Sequence, residues 1–433
     1  MKEKKNAAVK GKIALAFTSI VIAFSGCSSY VASETASKDG QQILTEQGST
    51  EQGNNKDKNT NAIYSSIFAQ QAIKSSVDNA TQWQLNHMTD MEHYIRRINE
   101  KTADPIGWVQ GTFLHGATQW AEQSGNNTLF KSLKHHLAQS DWKLSKRLYH
   151  ADDHVIAQSY LTLFEHYQDE KMIKNLITDF NAILREPPAL SHLSFTPKGK
   201  LKAQGYTHDC QRRWCWADAL FMSPPVWMRL SRLTGDKKYQ NYAVQEYKAS
   251  YEVLFDKSEN LFLRDDRYKT KQGLHGEKVL WARGNGWVFS GLTSIIDALD
   301  KSDADRAWFV ALYKKMAARL ITLQSKSGSW PMSLLAGQYY LEKETSGSAF
   351  FTAGLAWGLN NHILDETTYL PSVKLAWAAL ESSQAENGMV GWVQQIGAAP
   401  GKVEAQQTQF YGAGAFILAG KEMYRLAKNN KLD

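Results

Sequence analysis

Two aspartates, Asp153 and Asp218, and one arginine, Arg283, each stand where a run of small residues passes into an apolar helical pattern. Tryptophans crowd the same places: Trp108, Trp214, Trp216, Trp281 and Trp287. Two carboxylates converging on a tryptophan-walled cleft are the minimum apparatus for acid and base work on a glycosidic linkage. Sugar faces stack on indole while hydroxyls meet the charged groups. The planar guanidinium of Arg283 would clamp a carboxylate through two parallel hydrogen bonds, which points to a uronic acid rather than a neutral sugar. Taken singly, each residue has a plainer explanation. An Asp opening a helix is ordinarily an N-cap, a tryptophan is ordinarily core and an arginine is ordinarily on the surface. Recurrence at successive repeat positions is what argues against the plainer readings.

The elements that must hold these residues repeat. Six segments begin with small residues and run into an apolar helical period: from Gly107, Asp153, Ala217, Gly284, Gly347 and Tyr411. After a shorter first interval the starts recur roughly every 64 residues, room for two helices and a long loop. Helices rich in Gly and Ala and apolar nearly all round are buried ones. Between them lie amphipathic candidates, among them Leu129 to Arg147, Lys237 to Phe255, Ala304 to Leu323 and Tyr369 to Gln384. The expected fold is therefore all-α, an (α/α)6 barrel of six inner and six outer helices, with an open array of helical hairpins as the alternative. In the barrel, Asp153, Asp218 and Arg283 lie at one end.

Composition sets the bounds. The chain has 433 residues, 43% hydrophobic and 21% charged, which excludes disordered, collagenous and coiled-coil classes. The formal charge is +7, but the first 26 residues hold five lysines against Glu3. Without that segment the body is close to neutral. No basic stripe interleaved with aromatics appears, so no nucleic-acid partner is expected. Residues 1–26 read as a signal peptide: a lysine-rich start, the apolar run Ile13 to Phe24, then Ser25, Gly26 and Cys27. Cys27 resembles the acylated cysteine of a bacterial lipobox, although Phe24 departs from the usual Leu; an ordinary cleaved signal is the alternative. Residues 27–61 are polar and poor in large apolar groups, a flexible tether that leaves 62–433 as the catalytic body. An exported lipoprotein held to a membrane through Cys27 is expected.

The strings RRWCWADALFMSPPVW (Arg212 to Trp227), LFLRDDRY (Leu261 to Tyr268), LWARGNGWVFSGL (Leu280 to Leu292), ETSGSAFFTAGLAWG (Glu344 to Gly358) and YGAGAFILAG (Tyr411 to Gly420) resemble the unsaturated uronyl hydrolases, glycoside hydrolase families 88 and 105. The likeness runs from about Asn79 to Leu426, and WxDALFM together with WARGNGW is its specific part. The resemblance implies the same (α/α)6 barrel. It assigns Asp218 as general acid and base and Asp153 as its partner carboxylate. It places Arg283 and Trp281 against the uronate, with Trp216 and His208 as further substrate contacts; Trp214 and Trp108 join the expected substrate contacts through the tryptophan clustering. Some members carry a histidine near Arg264, so that substrate-facing position departs from the pattern. The implied reaction hydrates the 4,5 double bond that polysaccharide lyases leave on a terminal uronic acid. The implied substrate is an acidic unsaturated oligosaccharide linked through rhamnose, from ulvan or rhamnogalacturonan.

Such chemistry asks Asp218 to hold a proton near neutral pH, although a free Asp titrates near 3.9 and a helix N-terminus lowers it further. Burial against Trp214 and Trp216 and repulsion from Asp153 are expected to push it up. Cys210 and Cys215 either bridge or stay as buried thiols. His135 and His136 face different ways on an outer helix, and no metal or cofactor motif is present, so neither is expected. Two other functional classes fit the same mouth: a non-catalytic glycan-binding lipoprotein and an (α/α)6 polysaccharide lyase. Two adjacent carboxylates speak against simple anion binding.

Overall fold

Glycine and alanine fill six helical segments because their backbones touch. The computed structural model describes residues 66–95, 104–188, 193–195 and 205–432; the signal segment, Cys27 and the tether lie outside them. The helices in chain order are α1 (Gln70–Asn86), α2 (Trp108–Ser124), α3 (Asn127–Ala138), α4 (Ala157–Tyr167), α5 (Lys171–Arg185), α6 (Ala219–Met222) and α7 (Pro224–Thr234). They continue as α8 (Lys237–Leu254), α9 (Ala282–Ala298), α10 (Ala304–Ile321), α11 (Thr345–Asn360), α12 (Glu366–Glu381) and α13 (Phe410–Lys428). The inner ring runs α2, α4, α6 with α7, α9, α11 and α13, and α13 packs back on α2, so the ring is closed rather than an open array. A Cβ on Gly116 would meet the Gly414 carbonyl oxygen at 2.7 Å, and one on Gly414 would meet Thr112 O at 2.6 Å. Any side chain there would force the closing pair apart.

Six outer helices sit against the ring: α1 on α13, α3 on α2, α5 on α4, α8 on α7, α10 on α9 and α12 on α11. Their sequences show why. In α5 the stripe Met172, Ile173, Leu176, Phe180 and Ile183 is buried, while the opposite face is charged. Each such side chain contributes on the order of 2 kcal/mol. Side chains of Asn126, Asp236, Asp303 and Asp365 accept backbone N–H groups at the starts of α3, α8, α10 and α12, which fixes where each helix begins.

Two boundaries differ from the sequence expectation. The outer helix expected from Leu129 to Arg147 stops at Ala138, because Asp141 and Trp142 adopt left-handed backbone angles. The inner segment from Asp153 is a short 3-10 turn, Ala151–Asp153, and α4 begins only at Ala157. The third inner helix is broken as well. Pro224 and Pro225 follow Ser223, and since proline lacks an N–H they start a fresh helix rather than continue α6. Asp218 thus opens a single helical turn, a short and adjustable platform.

Candidate active site

Three constraints place Asp218. A disulfide joins Cys210 to Cys215, with Cα atoms 5.7 Å apart. Ser250 Oγ donates to Trp214 O at 2.5 Å, fixing the strand of chain between them. Ala217 N donates to Arg264 O at 2.8 Å, which lays the Leu261–Tyr268 segment beside the aspartate. Although Asp218 occupies the N-cap position of α6, its side chain makes no cap hydrogen bond. The plain explanation for an Asp at a helix start therefore fails here. Its Oδ2 is sealed from solvent with no hydrogen-bond partner, and so is Arg264 Nε, which stands 3.5 Å away. The two atoms are an ion pair whose hydrogen bond is not closed.

Burial pushes the Asp218 carboxyl above its ordinary value, opposed by the Arg264 and Arg283 guanidinium groups. The direction is the one the chemistry requires. The acidic neighbour that adds to the rise is Asp265, in place of the expected Asp153. Asp153 is committed elsewhere: Arg147 donates to its Oδ2 from the backbone N at 2.7 Å and from Nε at 3.0 Å, and to Oδ1 from Nη2 at 2.5 Å. At 3% exposure it is a buried side chain gripped on both oxygens by a forked partner. Sequence reasoning missed Arg147, because it lies in the stretch read as an outer helix.

Arg283 is 1% exposed and lies over the rings of Trp281 at 4.5 Å and Tyr411 at 4.8 Å. Its Nη1 donates to Gln394 O at 2.7 Å and its Nη2 to Gln395 O at 2.9 Å. The fork expected to hold a uronate is thus partly engaged with the chain between α12 and α13. Gln394 gathers that chain: its Oε1 accepts from Trp281 Nε1 at 2.9 Å, its carbonyl accepts from Tyr411 Oη at 2.6 Å, and its N–H reaches Glu344 Oε1 at 3.2 Å. Glu344 also caps α11 through Ser346 N and Gly347 N. Glu344 and Tyr411 carried no sequence signal of this role beyond lying at inner-helix starts, and Gln394, in the chain before α13, carried none.

The tryptophans divide. Trp108 is half-buried, stacked on Tyr411 with centroids 5.3 Å apart, and is the one with ring area left for a ligand. Trp281, Trp216 and Trp214 are at most 2% exposed. Trp216 lies against His150 at 4.9 Å, and Trp214 meets Tyr242 edge-on, so both act as walls. His208 is half-buried 4.0 Å from the Phe195 ring, and burial, then Arg267, lowers its pKa. Arg264 and Arg267 lie over the same Phe195, and both bind the fully buried Asp265. The mouth thus collects Asp218, Arg264, Arg283, Trp281, Trp108 and Tyr411, with Asp153 and Arg147 at the adjoining turn.

Residues 76–427 match Glycosyl Hydrolase Family 88. The chain belongs to that family. It is 36% identical over 361 residues to the unsaturated 3S-rhamnoglycuronyl hydrolase of Alteromonas sp. (strain LOR), covering 82% of this chain and 87% of that protein. Among solved structures, a glycosyl hydrolase family 88 protein from Bacteroides vulgatus superposes with a TM-score of 0.68 at 23% identity, over 82% of this chain and 99% of that one. A protein named a polysaccharide lyase superposes with a TM-score of 0.67 at 25% identity, over 82% and 98%. The family 88 fold is the closed helical barrel described above, and the protein is a glycoside hydrolase. Within this family 88 barrel, no group of three or more His, Cys, Asp or Glu among the described residues is set to hold a metal ion.

Proposed function

We propose that the protein removes a 4,5-unsaturated uronic acid from the non-reducing end of rhamnose-linked oligosaccharides by hydrating its double bond. The observation that carries this reading is Asp218: a carboxyl with one oxygen sealed from solvent and without a hydrogen bond, raised by burial against the opposing charges of two guanidinium groups. A protonated Asp218 donates its proton to C4, and positive charge develops at C5 and the ring oxygen. Water then adds to C5 and returns a proton to the Asp218 carboxylate. The resulting hemiketal opens and releases the remaining sugar. Arg283 and Trp281 supply the positive, apolar wall for the uronate, and Trp108 with Tyr411 the stacking face. The Alteromonas relative, an unsaturated 3S-rhamnoglycuronyl hydrolase, supports a rhamnoglycuronyl substrate.

Ultraviolet absorbance of the unsaturated uronate tests this directly. Lyase-made disaccharides from ulvan and from rhamnogalacturonan are mixed separately with the protein. Hydration bleaches the band in at least one. The lyase reading, raised by the named structural neighbour, predicts the opposite sign: absorbance rising on intact polymer. Binding without any change would favour the glycan-binding reading. The segment before Cys27 further supports an exported lipoprotein anchored through that cysteine; Cys27→Ser should shift the protein from the membrane to the soluble fraction.

A further inference from the structure

We propose that Arg264 is the positioning residue that lets Asp218 change from acid to base within one turnover, through a hydrogen bond that closes only once Asp218 has lost its proton. The inference rests on the hydration reading above. Its ground is a pair of atoms: Asp218 Oδ2 and Arg264 Nε face each other at 3.5 Å, both shut off from solvent, neither with another hydrogen bond. That separation exceeds the 2.7–3.2 Å of a formed N–H···O bond. A protonated, neutral Asp218 gains little from closing it. A carboxylate gains a charge-assisted bond of the stronger class.

The surroundings allow such a movement. Arg264 is anchored at its other end, with Nη1 donating to Asp265 at 2.8 Å and the guanidinium over Phe195 at 5.2 Å. Asp265 does not depend on it, since Arg267 supplies Nε at 2.7 Å, Nη2 at 2.9 Å and its backbone N at 3.2 Å. On the other side Asp218 sits on the one-turn helix α6, cut from α7 by proline. The charged and titratable groups acting with Asp218 are Arg264 and Asp265 from the chain after the two-residue strand Leu261–Phe262, Arg283 from α9, Tyr268 from the following 3-10 turn and Tyr411 from α13. Arg283 is held by two carbonyls, which leaves Arg264 as the cation with a donor directed at the carboxylate. When the proton goes to C4, electrons of the O–H bond stay on Asp218 and Arg264 Nε takes up the new negative charge. When water adds at C5, its proton returns to the carboxylate and the contact opens again.

Arg264→Gln and Arg264→Lys are compared with the wild-type chain by the pH dependence of kcat/KM, with melting temperatures confirming that each is folded. Arg264 lowers the Asp218 pKa, so its loss should move the basic limb upward by roughly one pH unit while the maximal rate falls on the order of tenfold. Lysine, which keeps the charge, should return the limb toward its wild-type position. A limb that stays put or moves down in a folded Arg264→Gln protein overturns the proposal, since a merely structural role would lower the rate without moving it. The Asp218 titration is also followed by carboxyl NMR, which needs no substrate. If no substrate is bleached, the hydration reading fails by itself, and the NMR shift still decides whether Arg264 governs Asp218.

Discussion

The two ends of the barrel look alike in inventory and differ in what they leave undone. At the end opposite the mouth, where the inner helices finish, a cavity of about 340 Å³ is lined by His115, Glu122, Glu165, Arg229, Arg232 and Asp297, with further polar neighbours. Burial raises Glu122 and Asp297 and depresses His115, so titratable groups are displaced there too. Yet Glu165 takes both Arg229 and Arg232, Arg229 also donates to Gln158 O at 2.9 Å, and Asp297 accepts Trp357 Nε1 at 2.9 Å. Its cations are matched within the protein. Helix C-termini also present partial negative charge, which suits an anionic sugar poorly, whereas the mouth gathers N-termini. Displaced pKa values therefore do not single out the active end. An unpartnered carboxyl oxygen facing an unpartnered guanidinium nitrogen, on the positive side of the ring, does.

The largest expected effect breaks this symmetry outright. Asp218→Asn keeps the shape and removes the proton, and should lower kcat on the order of 10³-fold while substrate still binds. Asp297→Asn, the corresponding change at the far end, should leave kcat/KM within about twofold, measured in the same absorbance assay. Equal losses at the two ends would defeat the assignment of the mouth. Next in size is the Arg147 to Asp153 pair, with side chains 16% and 4% exposed. Arg147→Met strands a buried carboxylate and should cost about 3–5 kcal/mol in urea unfolding, with turnover falling as the Asp153 turn loosens. Glu165→Gln at the far end takes the carboxylate from Arg229, whose side chain is 9% exposed, and should cost a comparable amount in urea unfolding, about 3 kcal/mol, while sparing turnover.

How much of this was legible beforehand follows the range of the interactions. The inner helices could be read because Gly111, Gly116, Gly291 and Gly414 announce close backbone approach within their own segments. Ring closure was inferable from six equivalent starts. The end of α3 was not, because positive backbone angles at Asp141 and Trp142 carry no glycine to mark them. At the site, Asp153, Asp218, Arg283 and the tryptophans lie on periodic starts, so pattern found them. What pattern could not show is which partner each takes. Arg264 reaches Asp218 through tertiary placement, by a single backbone bond from Ala217 to Arg264, while Arg147 meets Asp153 across a local turn that the helical reading of the stretch to Arg147 hid. Whether Trp214 is a wall or a sugar platform likewise depends on Tyr242, which sits on an outer helix.

A smaller effect concerns the staple beneath the mouth, for which the far-end cavity has no counterpart among its lining residues. Reducing Cys210–Cys215 releases a short loop and should lower stability by about 2 kcal/mol, read as a drop in melting temperature with dithiothreitol. Because that loop leads into Trp214, Trp216 and Asp218, KM should rise by a few fold under the same conditions. Cys210→Ser with Cys215→Ser should reproduce both changes without reductant.

The smallest effect is the one the two ends share. Burial holds both Asp218 and Asp297 above their ordinary values. A carboxyl whose folded pKa is raised binds its proton more tightly in the fold, so stability declines as pH climbs from the unfolded value near 3.9 to the folded value. Asparagine does not titrate. Asp218→Asn and Asp297→Asn should therefore each be more stable than the parent at pH 7, with the difference closing toward pH 4. Urea midpoints at the two pH values measure it. A gain at both ends with activity lost only at the mouth would mean that the same destabilising burial is retained at the mouth for proton transfer and at the far end merely tolerated. A loss of stability at pH 7 in Asp218→Asn would instead mean that its carboxylate is already held by Arg264 in the resting protein, and would remove the open contact on which acid catalysis by Asp218 has been argued.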